Sequence, residues 1–262
     1  MQAVKLPAGA GLDWLKQGFA IFKKRPTLFI ALAFVWNFNT IVSIQLLGII
    51  GLLSVALVQP IYIAFILLCS HFLFNNKKLN WQALFEPFRQ PQTLKTLLIS
   101  GLVYGVVFFI LDVFLTPALI KESEVANIVS SSGNGHITAD TYHSLIAAIN
   151  PWAIVITVVN TIILSLVYWF VPALIIWNNV STIKSIVFSC VGVLRNIGPF
   201  ITLGFSVCII GFIIWILMLF VISAGITGAF FAFILQLVFI SLLMTVYCAM
   251  YISYRQIYQR AM

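Results

Sequence analysis

The chain predicts an all-α polytopic membrane protein: six transmembrane helices in three hairpins, each hairpin preceded by an interfacial amphipathic helix, with both termini inside. Three observations predict it. Of 262 residues, 62% are hydrophobic and only 8% are charged, and the mean hydropathy is +1.12. No water-soluble core hides that much apolar surface, so lipid must act as the solvent. The apolar residues also run in stretches long enough to cross a hydrocarbon core and return. Finally, all but one of the 14 Lys and Arg residues fall in four short segments, 5–25, 77–95, 184–195 and 255–260, the exception being Lys121. Short cytoplasmic loops collect Lys and Arg, which puts both termini and two internal loops inside and residues 119–150 outside.

Taken in order, residues 28–74 form an apolar run of about 47 residues. As helix this is about 70 Å, where two crossings need about 60 Å. It is a hairpin, turning near Gly48 to Gly51. Residues 97–118 cross outward, a polar connection follows, and 151–177 return. The third pair runs over 200–222 and 228–254, with its turn at 223–228.

Three junctions resemble one another: Phe19-Ala20-Ile21-Phe22-Lys23-Lys24-Arg25-Pro26, Leu84-Phe85-Glu86-Pro87-Phe88-Arg89-Gln90-Pro91, and Val191-Gly192-Val193-Leu194-Arg195-Asn196-Ile197-Gly198-Pro199. Each is apolar, then basic, then Pro, then a span. At helical spacing Leu12, Leu15, Phe19 and Phe22 share one face, and Asp13, Lys16, Lys23 and Lys24 the other. Trp81, Leu84, Phe85 and Phe88 repeat the pattern, as do Ile183, Ile186, Val187, Cys190 and Leu194. The reading is one transmembrane domain, 1–262, with repeat-like units at about 11–75, 81–177 and 181–254. Ordinary juxtamembrane flanks with chance similarity are the alternative.

In the outer loop 119–150, Ser130-Ser131-Ser132-Gly133-Asn134-Gly135 reads as a flexible tip, with a short surface helix after it marked by Tyr142, Leu145, Ile146 and Ile149. No cleavable signal peptide is expected, because the first apolar run is too long for one. The net charge of +8 tracks sidedness beside apolar spans, so it faces anionic headgroups rather than nucleic acid. Cys69, Cys190, Cys208 and Cys248 lie in spans or on the basic side and match no zinc spacing; they read as packing residues.

Candidate sites are few. Asp112 is the acidic residue inside a span, where a charge costs about 2.5 to 3.5 kcal/mol on insertion scales. It is read either as a proton- or cation-binding carboxylate or as a hydrogen-bonded structural Asp. Asn160 and Gln236 complete a candidate intramembrane polar site. Asn37, Asn39, Gln45 and Gln59 join them as interhelical hydrogen-bonding groups. Pro60 and Pro172 free backbone carbonyls, as kinks or as broken helices at a site. Gly101 with Gly105, and Gly204 with Gly211, permit close helix approach. His136, Asp140 and His143, with Glu122 and Glu124 nearby, would make a metal site only if the outer helix began early, which Gly135 opposes. No metal or cofactor is expected. Lys16, Lys23, Lys24 and Arg89 are candidate lipid-headgroup contacts. No GxSxG, HExxH or Walker A pattern occurs, so an enzyme is not expected.

Lys5-Leu6-Pro7-Ala8, Gly18-Phe19 with the Phe22 to Pro26 junction, Pro172-Ala173-Leu174 with Trp177, residues 185–195, and residues 251–258 around Tyr254-Arg255 carry a resemblance. The chain resembles the BPSS-type family of small polytopic inner-membrane proteins of Gram-negative bacteria, to which no activity is assigned. The resemblance implies a bacterial inner-membrane location and a six-span fold. More distantly the chain is similar to the membrane domain appended to some glycerophosphodiester phosphodiesterases, without their catalytic barrel. The expected function is a non-enzymatic component that organises anionic lipids or assists a partner membrane complex. The rival is a small secondary transporter or channel using Asp112.

Overall fold

In the computed structural model the described residues are 3–119, 151–222 and 225–259, with side chains described for 3–111, 152, 154–221 and 230–259. Among them all regular structure is helical: α1 (Ala10–Phe22), α2 (Pro26–Leu47), α3 (Ile49–Phe74), α4 (Trp81–Arg89), α5 (Pro91–Leu119), α6 (Pro151–Val167), α7 (Val171–Asn178), α8 (Thr182–Arg195), α9 (Ile197–Ile222) and α10 (Gly225–Tyr254), with a π-helical turn at Arg255–Gln259. Six stretches are long and apolar enough to cross a membrane: Pro26–Leu47, Ile49–Phe74, Pro91–Leu111, Ile154–Asn178, Ile197–Val221 and Phe230–Gln259. The protein is an integral membrane protein.

Proline opens α2 and α5, where its missing N–H removes no helical hydrogen bond and its fixed φ suits the first turn. The α2–α3 hairpin turns on Gly48, at φ +53° and ψ −125°, a conformation that disfavours any residue with a Cβ. The predicted outer loop, with Lys121 and the candidate metal ligands Glu122, Glu124, His136, Asp140 and His143, lies outside the described residues. So do residues 223 and 224 of the third turn.

The chain divides into two compact units, Met1–Leu102 with Val167–Met262, and Val103–Leu166. The division passes through the second hairpin. In the larger unit α10 is central and packs against α1, α2, α3 and α9. The core of this unit gathers at the end that carries the basic segments: Trp14, Phe29, Ile66, Leu67, Leu84, Leu97, Phe170, Leu174, Tyr251 and Tyr254 are all fully buried. Toward the other end the helices expose apolar surface, as at Leu46 and Phe220, which suits hydrocarbon and not water.

The two intramembrane prolines differ. Pro60 is buried inside a continuous α3 and deprives the Ala56 carbonyl of its usual i+4 donor. Gly101 of α5 packs against that stretch, and a Cβ there would collide with the Leu57 carbonyl and come within 2.9 Å of the Ala56 oxygen. Pro172 instead restarts the helix after a break between Val167 and Val171. The break is satisfied locally. Ser189 Oγ of α8 accepts from the Phe170 N–H at 3.0 Å, and the Trp169 indole N–H donates to Ser253 Oγ at 3.0 Å. Phe170 is fully buried, so the break is filled by protein.

Gly204 and Gly211 depart from expectation: a Cβ at either would meet nothing within 4 Å. The α9 surface at these two glycines is open at that distance.

In the smaller unit, α5 beyond Val103 and α6 up to Leu166 carry a Tyr104–Phe108 stack with centroids 6.2 Å apart. Thr161 donates to the Thr157 carbonyl at 2.8 Å.

Candidate functional site

The basic end of the larger unit holds the helices that precede each hairpin, and each turns one stripe inward and another out. On α1 the inward residues are Gly11, Trp14, Leu15, Gly18, Ile21 and Phe22. Of the expected apolar face, Leu15 and Phe22 are buried against protein, while Leu12 and Phe19 are 42% and 47% exposed. The helix meets the protein by its glycine side because its glycines permit contact with backbone: a Cβ on Gly18 would sit 2.6 Å from the Thr245 carbonyl oxygen, and one on Gly11 would collide with the Pro199 carbonyl. Contact between helices that close favours Gly over any larger apolar residue.

On α8 the side that meets the protein is still more distinct from the apolar face. Its inward residues are Thr182, Ser185, Ser189, Gly192 and Val193, while Ile183, Val187 and Leu194 of the expected apolar face point away from the protein, Ile183 at 76% exposed. Small and hydroxyl side chains meet neighbouring backbone here: Thr182 Oγ1 donates to the Thr96 carbonyl at 3.1 Å, and a Cβ at Gly192 would collide with the Tyr258 hydroxyl. Burial pushes the Cys190 thiol up, so it stays a neutral packing group. On α4 only Leu84 is buried. Trp81, Phe85 and Phe88 surround the Phe65 ring, with centroids 6.4, 5.4 and 6.5 Å away, yet Trp81 is 56% exposed. All three helices therefore leave an apolar stripe uncovered beside basic groups: Leu12 and Phe19 beside Lys16 and Lys23, Trp81 and Phe85 beside Arg89, and Ile183, Val187 and Leu194 beside Lys184 and Arg195.

The sequence candidates distribute unevenly. Lys16, Lys23 and Arg89 are exposed, with Lys23 Nζ 4.9 Å from the Phe19 ring centroid. Lys24 turns back onto the protein, where its ammonium donates to the Leu73 carbonyl and to Asn76 Oδ1, both at 2.7 Å. It thus caps the end of α3. Asp112 is on the α5 backbone, but its side chain lies outside the described residues. Asn160 is half-buried in the smaller unit and Gln236 is exposed in the larger. Asn37 donates to the Ala33 carbonyl of its own helix at 2.8 Å, not across to another.

The polar groups that tie elements together are ones the sequence did not single out, and they cluster at the basic end. Asn196, buried between α8 and α9, donates to the Val4 carbonyl at 3.0 Å and accepts from the Leu6 N–H at 2.8 Å. The Trp14 indole N–H donates to Gln256 Oε1 at 2.9 Å. Tyr254 donates to Asn178 Oδ1 at 2.6 Å, and Tyr251 shares a 3.0 Å hydrogen bond with His71 Nδ1. Their sequence signal was only that Trp, Tyr and Asn recur next to basic residues. Among the described residues cavities open here, one of about 260 Å³ lined by Gln17, Phe74, Ile252, Arg255, Gln256 and Gln259. Another, about 290 Å³, lies among Gln90, Thr93, Thr96, Asn179 and Ser181.

In sequence the chain is 25% identical to a probable inner membrane protein of Burkholderia thailandensis over 269 aligned positions, which cover 97% of this chain and 93% of that protein. Together with the six apolar helices this fixes the setting. The chain is a multi-pass protein of the inner membrane. No family model matches it, and no solved structure does.

Proposed function

We propose that this protein is a non-enzymatic membrane component that holds anionic lipid against its cytoplasmic face, alone or as an accessory to a partner membrane complex. The observation that carries the reading is the pairing, on α1, α4 and α8, of an uncovered apolar stripe with adjacent Lys or Arg. In water such stripes would be unfavourable. At a headgroup boundary the apolar side chains enter the acyl region and each basic group contributes about 1 kcal/mol against anionic lipid. The orientation with both termini inside follows from the basic residues of these same segments. Membership of the BPSS-type family rests on the short motifs quoted above and agrees with the relative's inner-membrane description. The transporter alternative, with Asp112 coupling a proton or cation, draws on that residue's position in a span.

The test is native mass spectrometry of the purified protein across a salt series. Retained phosphatidylglycerol and cardiolipin are expected to fall as salt rises, since exposed charges are screened. Lys16→Gln combined with Lys23→Gln and Arg89→Gln should lower the starting count. Lys24 is left in place because it caps α3. A salt-independent count, equal in the correctly inserted variant, rejects the reading.

A further inference from the structure

The Arg255 guanidinium is held within the basic end. Its Nη1 is buried and has no hydrogen-bond partner among the described residues. Its Cζ lies 4.3 Å from the Phe74 ring centroid, and the group neighbours the Tyr251 hydroxyl. No described carboxylate offsets it: Asp13 and Glu86 are exposed, and neither lines the cavity next to Arg255. A half-buried guanidinium with one buried nitrogen left unpartnered gains from a counter-charge.

The cavity beside it is suited to supply one. Besides Arg255 it is lined by three carboxamides, Gln17 from α1 and Gln256 and Gln259 from the π-turn, with Phe74 and Ile252 as an apolar wall. Because Gln256 Oε1 already accepts from the Trp14 indole, its Nε2 is left as the donor. A guanidinium over an aromatic ring still has edge N–H groups to offer to oxygen, and its fork suits phosphate. Neutral amide donors add hydrogen bonds to an anion without adding further charge.

We propose that this cavity binds one phosphate group, with Arg255 meeting its charge and Gln17, Gln256 and Gln259 donating to its oxygens. The phosphate is either that of a phospholipid headgroup, with the glycerol end against Phe74 and Ile252, or that of a soluble phosphate compound. None of Lys16, Lys23, Lys24 or Arg89 lines the cavity, so the site stands or falls separately from the surface stripes.

The experiment uses delipidated full-length protein in mild detergent at a salt concentration that strips surface lipid. Phosphatidylglycerol is titrated by native mass spectrometry, and inorganic phosphate and glycerol 3-phosphate by thermal shift. The expected result is one saturable site that Arg255→Gln weakens by about tenfold or more, the loss of a charge-assisted contact. Gln17→Leu, which leaves the Arg255 stack intact, should weaken it too, and it decides the matter if the Arg255 variant does not fold. Lys16→Gln with Lys23→Gln should leave it unchanged. Binding of phosphatidylglycerol alone assigns a headgroup, and binding of the free phosphates assigns a soluble ligand. No saturable site in the parent, or binding in both the Arg255 and Gln17 variants equal to that of the parent, overturns the proposal.

Discussion

Small polar side chains join the elements of this protein, and most of them act on backbone that the fold has left incomplete. Ser189 is the clearest. The restart of the helix at Pro172 frees the Phe170 N–H, and the Ser189 hydroxyl, fully buried, accepts from it. Ser189→Ala should therefore cost about 1 to 3 kcal/mol, the usual range for a buried donor left unpaired, visible as a lower melting temperature in detergent. Ser206→Ala is the control: that hydroxyl only returns to the Thr202 carbonyl of its own helix, so its loss should change little. In sequence the two residues look alike, each a Ser set among apolar neighbours within a helix. Only the neighbour across the break separates them. The same holds for Lys23 and Lys24, adjacent and chemically alike, one exposed over Phe19 and the other capping α3.

At the scale of elements, α1 packs chiefly on α9 and α10 rather than on the hairpin it precedes. The N-terminal segment extends that contact: Thr202 Oγ1 donates to the Ala8 carbonyl at 2.6 Å, and the Val4 N–H donates to the Ile257 carbonyl at 3.0 Å. First and third hairpins are thereby joined through a helix whose own face is set by Gly11 and Gly18. Gly18→Leu should overpack this contact against Thr245 and Ala249 and cost at least about 1 to 3 kcal/mol. Gly204→Leu, on an open face, should be tolerated. Comparing thermal unfolding of the two variants checks the assignment; equal melting temperatures would contradict the close approach. The periodicity of the sequence located α1, α4 and α8 and marked an apolar face on each, but it did not say which residues of α1 and α8 meet the rest of the protein. It ranked side chains by hydrophobicity, whereas the packed contacts are ranked by how near two backbones must come.

For the whole molecule, the basic segments of the larger unit converge on one end, as the Lys24 to Asn76, Thr182 to Thr96 and Arg195 to Ala3 hydrogen bonds require. The charge rule assigns that end to the cytoplasm. In spheroplasts of a cysteine-free background, an impermeant thiol reagent should then label Ser132→Cys and spare Gln82→Cys and Ser181→Cys; the opposite pattern reverses the orientation. The sequence by itself determined the solvent, the helical class, the number of spans and the Gly48 turn, because each follows from local quantities: hydropathy over about 20 residues, the φ of proline, the missing Cβ of glycine. Tertiary structure alone decided which face of α1 and α8 turns inward, which polar groups bridge elements, and that one nitrogen of the Arg255 guanidinium is buried beside a cavity with no carboxylate in its described lining. In lipid both faces of a span are apolar, so hydrophobicity cannot choose between them. The choice falls to backbone approach and hydrogen-bond satisfaction, which depend on partners distant in the chain.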